Sequence, residues 1–197
     1  YTPGAHLLAS LFGQWTGTDG FHAIYGVLVV SVALKVGLIF LIARRSVDGP
    51  LPFAILAPVL LLLPRAFFFE SFTRYSYVPQ VVSEWFAVSA WWAVAAWNDR
   101  PSLQALAIFA VSEAAGFLTW PVFAGPPVVA LAITMALARD VDVRTRTRSF
   151  AIATVPLAIV AAVHVSGRLA RTRIVQTSAD MALPTWIVFS WPFLVLA

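Results

Sequence analysis

The chain has 197 residues, of which 60% are hydrophobic and only 11% are charged, and its formal net charge is +4. A soluble domain carries about 25% charged residues, so this composition excludes an ordinary water-soluble surface. Twelve of the 13 basic residues are Arg, and they lie in the short gaps between apolar runs. That placement is typical of membrane proteins and argues against nucleic acid as a partner. The lack of cysteine excludes disulfides and thiolate metal sites.

The first residues predict a short helix that lies on the membrane surface. Pro3 stands where a helix can begin, and glycines at 13, 17 and 20 interrupt the pattern. Apolar side chains fall at helical spacing on one face of this segment, namely Leu7, Leu8, Leu11, Phe12 and Trp15. We therefore expect residues 1–22 to form an interfacial segment rather than a span.

Six apolar runs follow that are suited to cross a bilayer as helices, and a seventh begins near Leu183. A spanning helix needs about 20 mostly apolar residues, whereas barrel strands are shorter and alternate in polarity. The predicted spans are approximately Ala23 to Ala43, Leu51 to Phe69, Val78 to Trp97, Leu103 to Leu118, Pro121 to Ala138 and Phe150 to Val165. The predicted fold class is all-α, a polytopic transmembrane bundle of about 6–7 spans.

Two places within these runs indicate irregular helices. Pro64 and Arg65 interrupt the second run, which predicts a short or kinked span. Only Thr119 and Trp120 separate the fourth and fifth runs, so these form either a tight helical hairpin or one broken re-entrant unit. The sequence Gly-Pro-Pro at 125–127 predicts a break in the fifth span.

We treat residues 1–197 as one transmembrane domain, with the membrane bundle over residues 23–197. The chain begins at Tyr1 without Met and ends at Ala197 inside an apolar run, and we therefore expect an internal fragment of a longer chain. One set of connectors holds seven Arg and the other five. The positive-inside rule then places residues 1–22, 65–80 and 166–182 on the outer face. The expected location is the bacterial inner membrane, as a multi-pass protein.

Three ionisable residues fall at membrane depth, where charge is costly and functional roles are common. Lys35 lies near the middle of the first span, Glu84 lies in the third, and Glu113 lies toward the outer end of the fourth. They are candidates for a proton or ion relay or for a substrate contact. The alternative is an interhelical ion pair or a side chain that reaches toward the interface.

The predicted outer connectors hold the densest polar and aromatic residues. In the 65–80 connector, Arg74 is suited to bind phosphate through its planar guanidinium, and Tyr75 and Tyr77 are suited to stack on a sugar. After the sixth span, Arg168 and Arg171 would share one face of a helix and contact a lipid phosphate. The alternatives are an aromatic belt, an ordinary solvated helix or an inverted topology.

The three histidines, His6, His22 and His164, do not have metal-ligand spacing with one another or with carboxylates. The sequence also contains neither a phosphate-binding glycine loop nor a serine-hydrolase motif. We therefore predict no metal site and no evident cofactor, and leave the use of a divalent ion open.

The stretch Tyr1-Thr2-Pro3-Gly4-Ala5-His6, followed by a glycine-rich turn and a long apolar span that ends in Ala43-Arg44-Arg45, resembles part of the GT-C-fold integral membrane glycosyltransferases. In those enzymes a similar Tyr-Pro-Pro-Gly stretch opens a juxtamembrane helix, and Thr2 stands here where Pro is usual. Residues 72–86, with Tyr77-Val78-Pro79-Gln80, are similar to a later loop-to-span junction. The resemblance covers about half of the chain.

This resemblance implies transfer of a sugar from a polyprenyl-phosphate-linked donor on the outer face of the membrane. The general base of the family is usually an Asp early in the first outer loop, at a position that would precede Tyr1. Among the residues present, Glu70 and Asp19 are the candidate catalytic bases. Arg74, Arg168, Arg171, Tyr75, Tyr77 and His6 are the candidate substrate-binding residues.

Two other functions remain open at this stage. Eight Trp and 15 Phe favour packing against lipids or neighbouring subunits, as in a non-catalytic subunit of a larger membrane complex. A transporter would instead use Lys35, Glu84 and Glu113 as a relay in one central cavity. The lipid bilayer is a partner in all three, with a lipid-linked sugar donor or other membrane subunits as further partners.

Overall fold

The computed structural model describes residues 3–46, 51–62 and 78–179. Within these ranges the chain forms seven α-helices and no strand, which confirms the all-α prediction. The helices are α1 Gly4–Thr16, α2 Gly20–Ser46, α3 Leu51–Leu62, α4 Val78–Asp99, α5 Leu103–Thr119, α6 Gly125–Leu137 and α7 Val143–Ala179, with a short 3₁₀ helix at Pro121–Phe123.

The helix bounds confirm several of the predicted elements. The short N-terminal helix is present as α1, and α2, α4 and α5 contain the first, third and fourth predicted spans. The predicted break between the fourth and fifth runs is also present, since Trp120 is extended and the 3₁₀ helix follows it. The predicted break inside the fifth run is confirmed as well, because the 3₁₀ helix ends at Phe123 and a separate α-helix begins at Gly125. Gly125 begins α6, because prolines fit in the first turn of a helix.

The last described helix, α7, is longer than the sixth predicted span at both ends. The Arg-Thr-Arg-Thr-Arg tract at 144–148 forms its first turns, and residues 166–179, expected in a connector, continue it. Apolarity located the centre of the helix correctly, but Arg is also a good helix former, so the helix does not stop where hydropathy falls. The second predicted span beyond Leu62, the connector at 63–77 and the run from Leu183 lie outside the described residues.

Length and composition single out two of the described helices as able to cross a membrane. The apolar stretches are Gly20–Arg45 in α2 and Val143–Gly167 in α7. Shorter apolar helices occur at Leu51–Leu60, Leu103–Thr119 and Pro121–Leu137. The structure therefore gives two long apolar helices, and a bundle of six or seven spans remains a prediction.

Helices α4 and α5 pack antiparallel at the centre of the fold, and the other helices pack around them. Small residues allow the two backbones to approach, since a Cβ atom on Gly116 would lie 3.4 Å from the Cβ atom of Phe86. At the same level the hydroxyl of Ser83 lies 3.2 Å from the carbonyl oxygen of Gly116 and 3.1 Å from that of Trp120. This shared hydrogen bond satisfies carbonyls at the end of α5.

Two apolar clusters fill the fold, one toward each end of α4. Near the end of α4, residues from four helices surround Trp97: Ala90, Ala93, Val94, Ala105, Leu106, Phe109, Leu131, Met135 and Ala153. Near its start, α1 and α2 pack on α4 through Ala5, Ala9, Val27, Leu28, Val81, Val82 and Phe86. The first cluster joins α4, α5, α6 and α7, and the second attaches α1 and α2 to this unit.

The two ends of the bundle differ in charge. At one end, called the α1 end, α1 contacts the start of α4 and the end of α5. At the opposite end, called the basic end, Arg45 of α2 pairs with Asp99 of α4. Further arginines lie at the basic end in the terminal turns and connectors of α2, α4, α6 and α7: Arg44, Arg100, Arg139, Arg144, Arg146 and Arg148.

Helix α1 docks closely on α5 through Gly4. A Cβ atom at this position would overlap the hydroxyl of Thr119 and would lie 2.8 Å from the carbonyl oxygen of Leu118. A backbone carbonyl cannot move aside as a flexible side chain can, so the contact requires glycine. Gly20, which occupies the first position of α2, has nothing within 4 Å of a built Cβ atom.

Replacing Gly4 by Ala should therefore weaken the docking of α1. We expect the Gly4→Ala variant to lose about 1–3 kcal/mol of stability, the usual cost of overpacking. Thermal unfolding of the purified protein in detergent measures this, and Gly20→Ala is the matched control at the same helix position. Equal melting temperatures for Gly4→Ala and the wild type would contradict the close packing of α1 on α5.

Candidate functional site

The turn between α1 and α2 forms a groove at the α1 end that is lined by both polar side chains and glycines. Gly17 has φ 71°, a left-handed conformation that closes α1, and the N–H of Thr18 donates to the carbonyl oxygen of Gly13. The groove has a volume of about 430 Å³. It is lined by His6, Ala9, Ser10, Gly13, Gln14, Gly17, Thr18 and Gly20. Of the predicted substrate-binding residues, the structure places His6 in this groove.

Helix α1 presents three different faces, as its sequence spacing requires. Ala5 and Ala9 are buried against the bundle. The exposed polar residues His6, Ser10 and Gln14 follow one another at intervals of four and line the groove. A third face exposes large apolar side chains at the same interval, Leu7, Leu11 and Trp15, and Trp15 is 84% exposed.

Ser10, Gln14 and Thr18 are groove residues that the sequence analysis did not select. Their signal was present, because His6, Ser10, Gln14 and Thr18 continue at intervals of four along the chain. The apolar residues of the same helix predicted an interfacial helix, and no role was assigned to the polar residues between them. The contribution of Thr18 also depends on the turn at Gly17, which lies beyond the end of α1.

Asp19, a candidate catalytic base, begins α2 as its N-cap. Its Oδ1 accepts from the N–H groups of Phe21 and His22, both at 2.9 Å, and its Oδ2 lies 2.6 Å from Nδ1 of His22. The hydrogen bond from the His22 backbone, followed by that from its side chain, holds the pKa of Asp19 below its ordinary value. A lowered pKa makes a carboxylate a weaker base, so Asp19 has a capping role, and its role as a base remains a prediction.

Lys35 and Glu84 form an ion pair in the interior of the fold. Lys35 of α2 donates from Nζ to Oε2 of Glu84 in α4 at 2.6 Å. Lys35 is 4% exposed and Glu84 is 8% exposed. Gln80, one turn before Glu84, donates from Nε2 to the other carboxylate oxygen at 3.1 Å. This geometry matches the interhelical ion pair that the sequence left open as an alternative.

Glu113 lies apart from this pair, on α5. It is 1% exposed, and its Oε2 atom has no hydrogen-bond partner among the described residues. One turn further along α5, the ring of Phe117 meets the ring of His164 of α7 edge to face at 5.9 Å. Glu113 therefore lies toward the contact of α5 with α7, whereas the pair of Lys35 with Glu84 joins α2 to α4.

The remaining predicted site residues belong to parts of the chain that the structure does not describe in full. Glu70, Arg74, Tyr75 and Tyr77 lie outside the described residues. The backbone of α7 passes through Arg168 and Arg171, and their spacing of three places them on one face of a helix, as predicted. Across the described ranges, the carboxylates and histidines do not gather into a group that could hold a metal ion.

Comparison with known proteins gave no match to a family model, to a curated protein or to a solved structure.

Because Lys35 and Glu84 form a buried ion pair, replacing either residue should strongly lower the free energy of unfolding. Removing one partner takes away the ion pair from the other, which stays buried, and breaking a buried pair costs about 3–5 kcal/mol. We expect Lys35→Met and Glu84→Gln each to destabilise the protein by about this amount, and the double variant to lose less than the sum. Reversible unfolding in detergent measures the three values. Additive losses would show that the two side chains do not interact.

Proposed function

We propose that this chain is part of a polytopic integral membrane protein whose helices form a bundle in the bilayer. The support is an arrangement of polarity opposite to that of a soluble protein. Three charged side chains are buried in the described part of the chain, Lys35, Glu84 and Glu113, while large apolar side chains are exposed along α2, α3, α5, α6 and α7. Large continuous apolar surfaces are rare on soluble monomers, and lipid removes their cost.

The exposure of the two long apolar helices supports the same proposal. A core helix of a soluble protein is mostly buried, whereas only 6% of the apolar window of α7 and 22% of that of α2 are buried. Helix α4 has 22 residues, a length of about 33 Å at 1.5 Å per residue. This suffices for a hydrocarbon core of about 30 Å. The basic end then lies in the cytoplasm, and the α1 end lies outside.

Labelling of single cysteines tests this topology directly, because the chain contains no native cysteine. In intact bacterial cells, an impermeant maleimide should label Gln14→Cys but should label Asp140→Cys only after the membrane is permeabilised. Both positions are exposed, and they lie at opposite ends of the bundle. Val163→Cys, exposed in the apolar part of α7, should resist aqueous labelling. Equal labelling at all three positions would contradict a membrane bundle.

Within this framework, we propose that the protein transfers a sugar from a polyprenyl-phosphate donor at the α1 end. The observation that carries this proposal is the groove between α1 and α2, whose lining includes His6, Ser10, Gln14 and Thr18. It opens beside the apolar face formed by Leu7, Leu11 and Trp15, so a lipid-linked substrate would have its polar head in the groove while its chain stays in the bilayer. The resemblance of residues 1–45 to glycosyltransferases of the GT-C fold points to the same reaction.

The chemistry requires a base for the acceptor hydroxyl and cations for the departing phosphate. We propose Glu70 or Asp19 as the base, and Arg74, Arg168 and Arg171 as the phosphate-binding groups. His6 and the hydroxyl groups of the groove would bind the sugar by hydrogen bonds. Proton transfer to the carboxylate, attack of the acceptor oxygen on the anomeric carbon and release of polyprenyl phosphate complete a balanced reaction.

A non-catalytic role in a larger membrane complex is the second candidate. Helix α3, which packs on α2, exposes Phe53, Ile55, Leu56 and Leu60, and another subunit would be able to cover this surface. For a transporter, the direct contact between Lys35 and Glu84 leaves the two groups joined to each other rather than facing a shared cavity. No specific observation favours that third function.

An assay of sugar transfer separates the enzyme from the subunit. The full-length protein, incubated in its native membranes with a polyprenyl-phosphate donor that carries a radiolabelled sugar, should transfer the label from the donor to an acceptor hydroxyl. Arg74→Ala should lower this rate at least about a hundredfold, as expected for loss of an essential transition-state charge contact. Arg44→Ala, which removes an exposed arginine at the basic end, is the matched control and should retain full activity.

The same assay distinguishes the role of Asp19 as the N-cap of α2 from its proposed role as the catalytic base. Asp19→Ser keeps an N-capping oxygen but removes the basic carboxylate, so a folded variant without activity would identify Asp19 as the base. Retained activity would leave it as a cap and point to Glu70. Unchanged transfer by Arg74→Ala would remove Arg74 from the site, and the absence of transfer by the wild type would favour the subunit.

A further inference from the structure

A second groove lies at the basic end of the bundle, between the end of α6 and the start of α7. It has a volume of about 420 Å³ and is mainly apolar. It is lined by Ala132, Met135, Ala136, Val143, Arg146, Thr147 and Phe150. Helices α5 and α6 run between the two ends of the bundle, so about 15 residues of helix separate this groove from the α1 end. It is therefore separate from the proposed glycosyl transfer site.

Arg146 is held in place at this groove. Its Nη1 donates to the carbonyl oxygens of Met135 at 3.2 Å and Ala136 at 3.1 Å, which lie in the last turn of α6. These bonds satisfy carbonyls that the helix leaves without partners. Its Nε atom is buried and has no hydrogen-bond partner among the described residues. A guanidinium has five N–H donors, and Nη2 of Arg146 donates to no acceptor in the described part of the chain, so this atom keeps capacity for an acceptor oxygen.

The surroundings of Arg146 favour an anion. The segment 139–148 contains four arginines (139, 144, 146 and 148) and two aspartates (140 and 142), which gives a net charge of +2. Asp142 is already used as the N-cap of α7, where its Oδ1 accepts from the N–H of Thr145 at 2.9 Å. The start of α7 adds the positive end of a helix dipole.

We infer that this groove binds the phosphate and one acyl chain of an anionic phospholipid from the cytoplasmic leaflet. This inference rests on the membrane placement proposed above and is independent of the glycosyl transfer activity. Basic pockets between membrane helices on the cytoplasmic side are suited to anionic headgroups. The guanidinium of Arg146 would contact the phosphate, since the hydroxyl of Thr147 already donates to the carbonyl oxygen of Val143 at 2.9 Å. The small side chains of Ala132 and Ala136 leave room for the acyl chain.

The test compares lipid binding to the purified full-length chain by native mass spectrometry. Phosphatidylglycerol is the anionic probe, and phosphatidylcholine is the zwitterionic control. The wild type should bind phosphatidylglycerol at least about tenfold more tightly than phosphatidylcholine, as one added charge-assisted hydrogen bond allows. Arg146→Met should abolish this preference.

A second variant tests the groove without removing the hydrogen bonds that Arg146 donates to the end of α6. Ala132→Leu fills the groove without changing the residues whose carbonyls accept from Arg146, and it should weaken phosphatidylglycerol binding about tenfold. Ala158→Leu adds the same bulk at an exposed position of α7 outside the groove and should bind as the wild type does.

Three results would overturn the inference. Equal binding of the two lipids by the wild type would exclude an anionic lipid site. Unchanged phosphatidylglycerol binding in both Arg146→Met and Ala132→Leu would exclude this groove. Loss in Arg146→Met together with full binding in Ala132→Leu would place the lipid on the exposed arginine tract. Failure of the membrane proposal is recognised separately, by equal maleimide labelling at both ends of the bundle.

Discussion

The interaction on which the rest of the arrangement depends is the buried ion pair of Lys35 and Glu84. The two charges meet at 2.6 Å between α2 and α4, in an interior where an isolated charge would be very costly. Each therefore requires the other, and the requirement fixes the position of α2 relative to the central pair of helices. That position in turn sets where the turn into α2 lies, and with it the groove at the α1 end.

The two ends of the bundle present different surfaces. At the α1 end, one short helix combines a buried face, a polar face and an apolar exposed face within 13 residues. Such a helix is suited to hold a substrate that is half lipid and half sugar. At the basic end, arginines and the start of α7 create a positive surface with an apolar groove beside it, which is suited to an anionic headgroup. We propose a glycosyltransferase on this basis, with its reaction outside and its lipid contact inside.

Much of the helical organisation followed from the sequence, and the departures have physical reasons. The starts and ends of α4 and α5 agree with the predicted spans, because turns with Asn, Asp and Pro separate strongly apolar runs. For α7 the prediction was too short at both ends. Hydropathy reports where lipid surrounds a helix, whereas hydrogen bonding and helix propensity decide where the helix stops. The Gly-Pro-Pro sequence did divide the fifth run where predicted, since proline is disfavoured in a helix interior but fits in the first turn of a new helix.

By itself, the sequence determined that the chain is helical, that much of it is strongly apolar, and which few ionisable residues interrupt the apolar runs. These properties depend on local composition and period, which a single chain displays directly. Only the tertiary structure decided that Lys35 pairs with Glu84, that Glu113 lies apart toward α7, and that His6 shares a groove with Ser10, Gln14 and Thr18. Such contacts depend on which helix faces meet, and helices far apart in the chain carry no local signal of their neighbours.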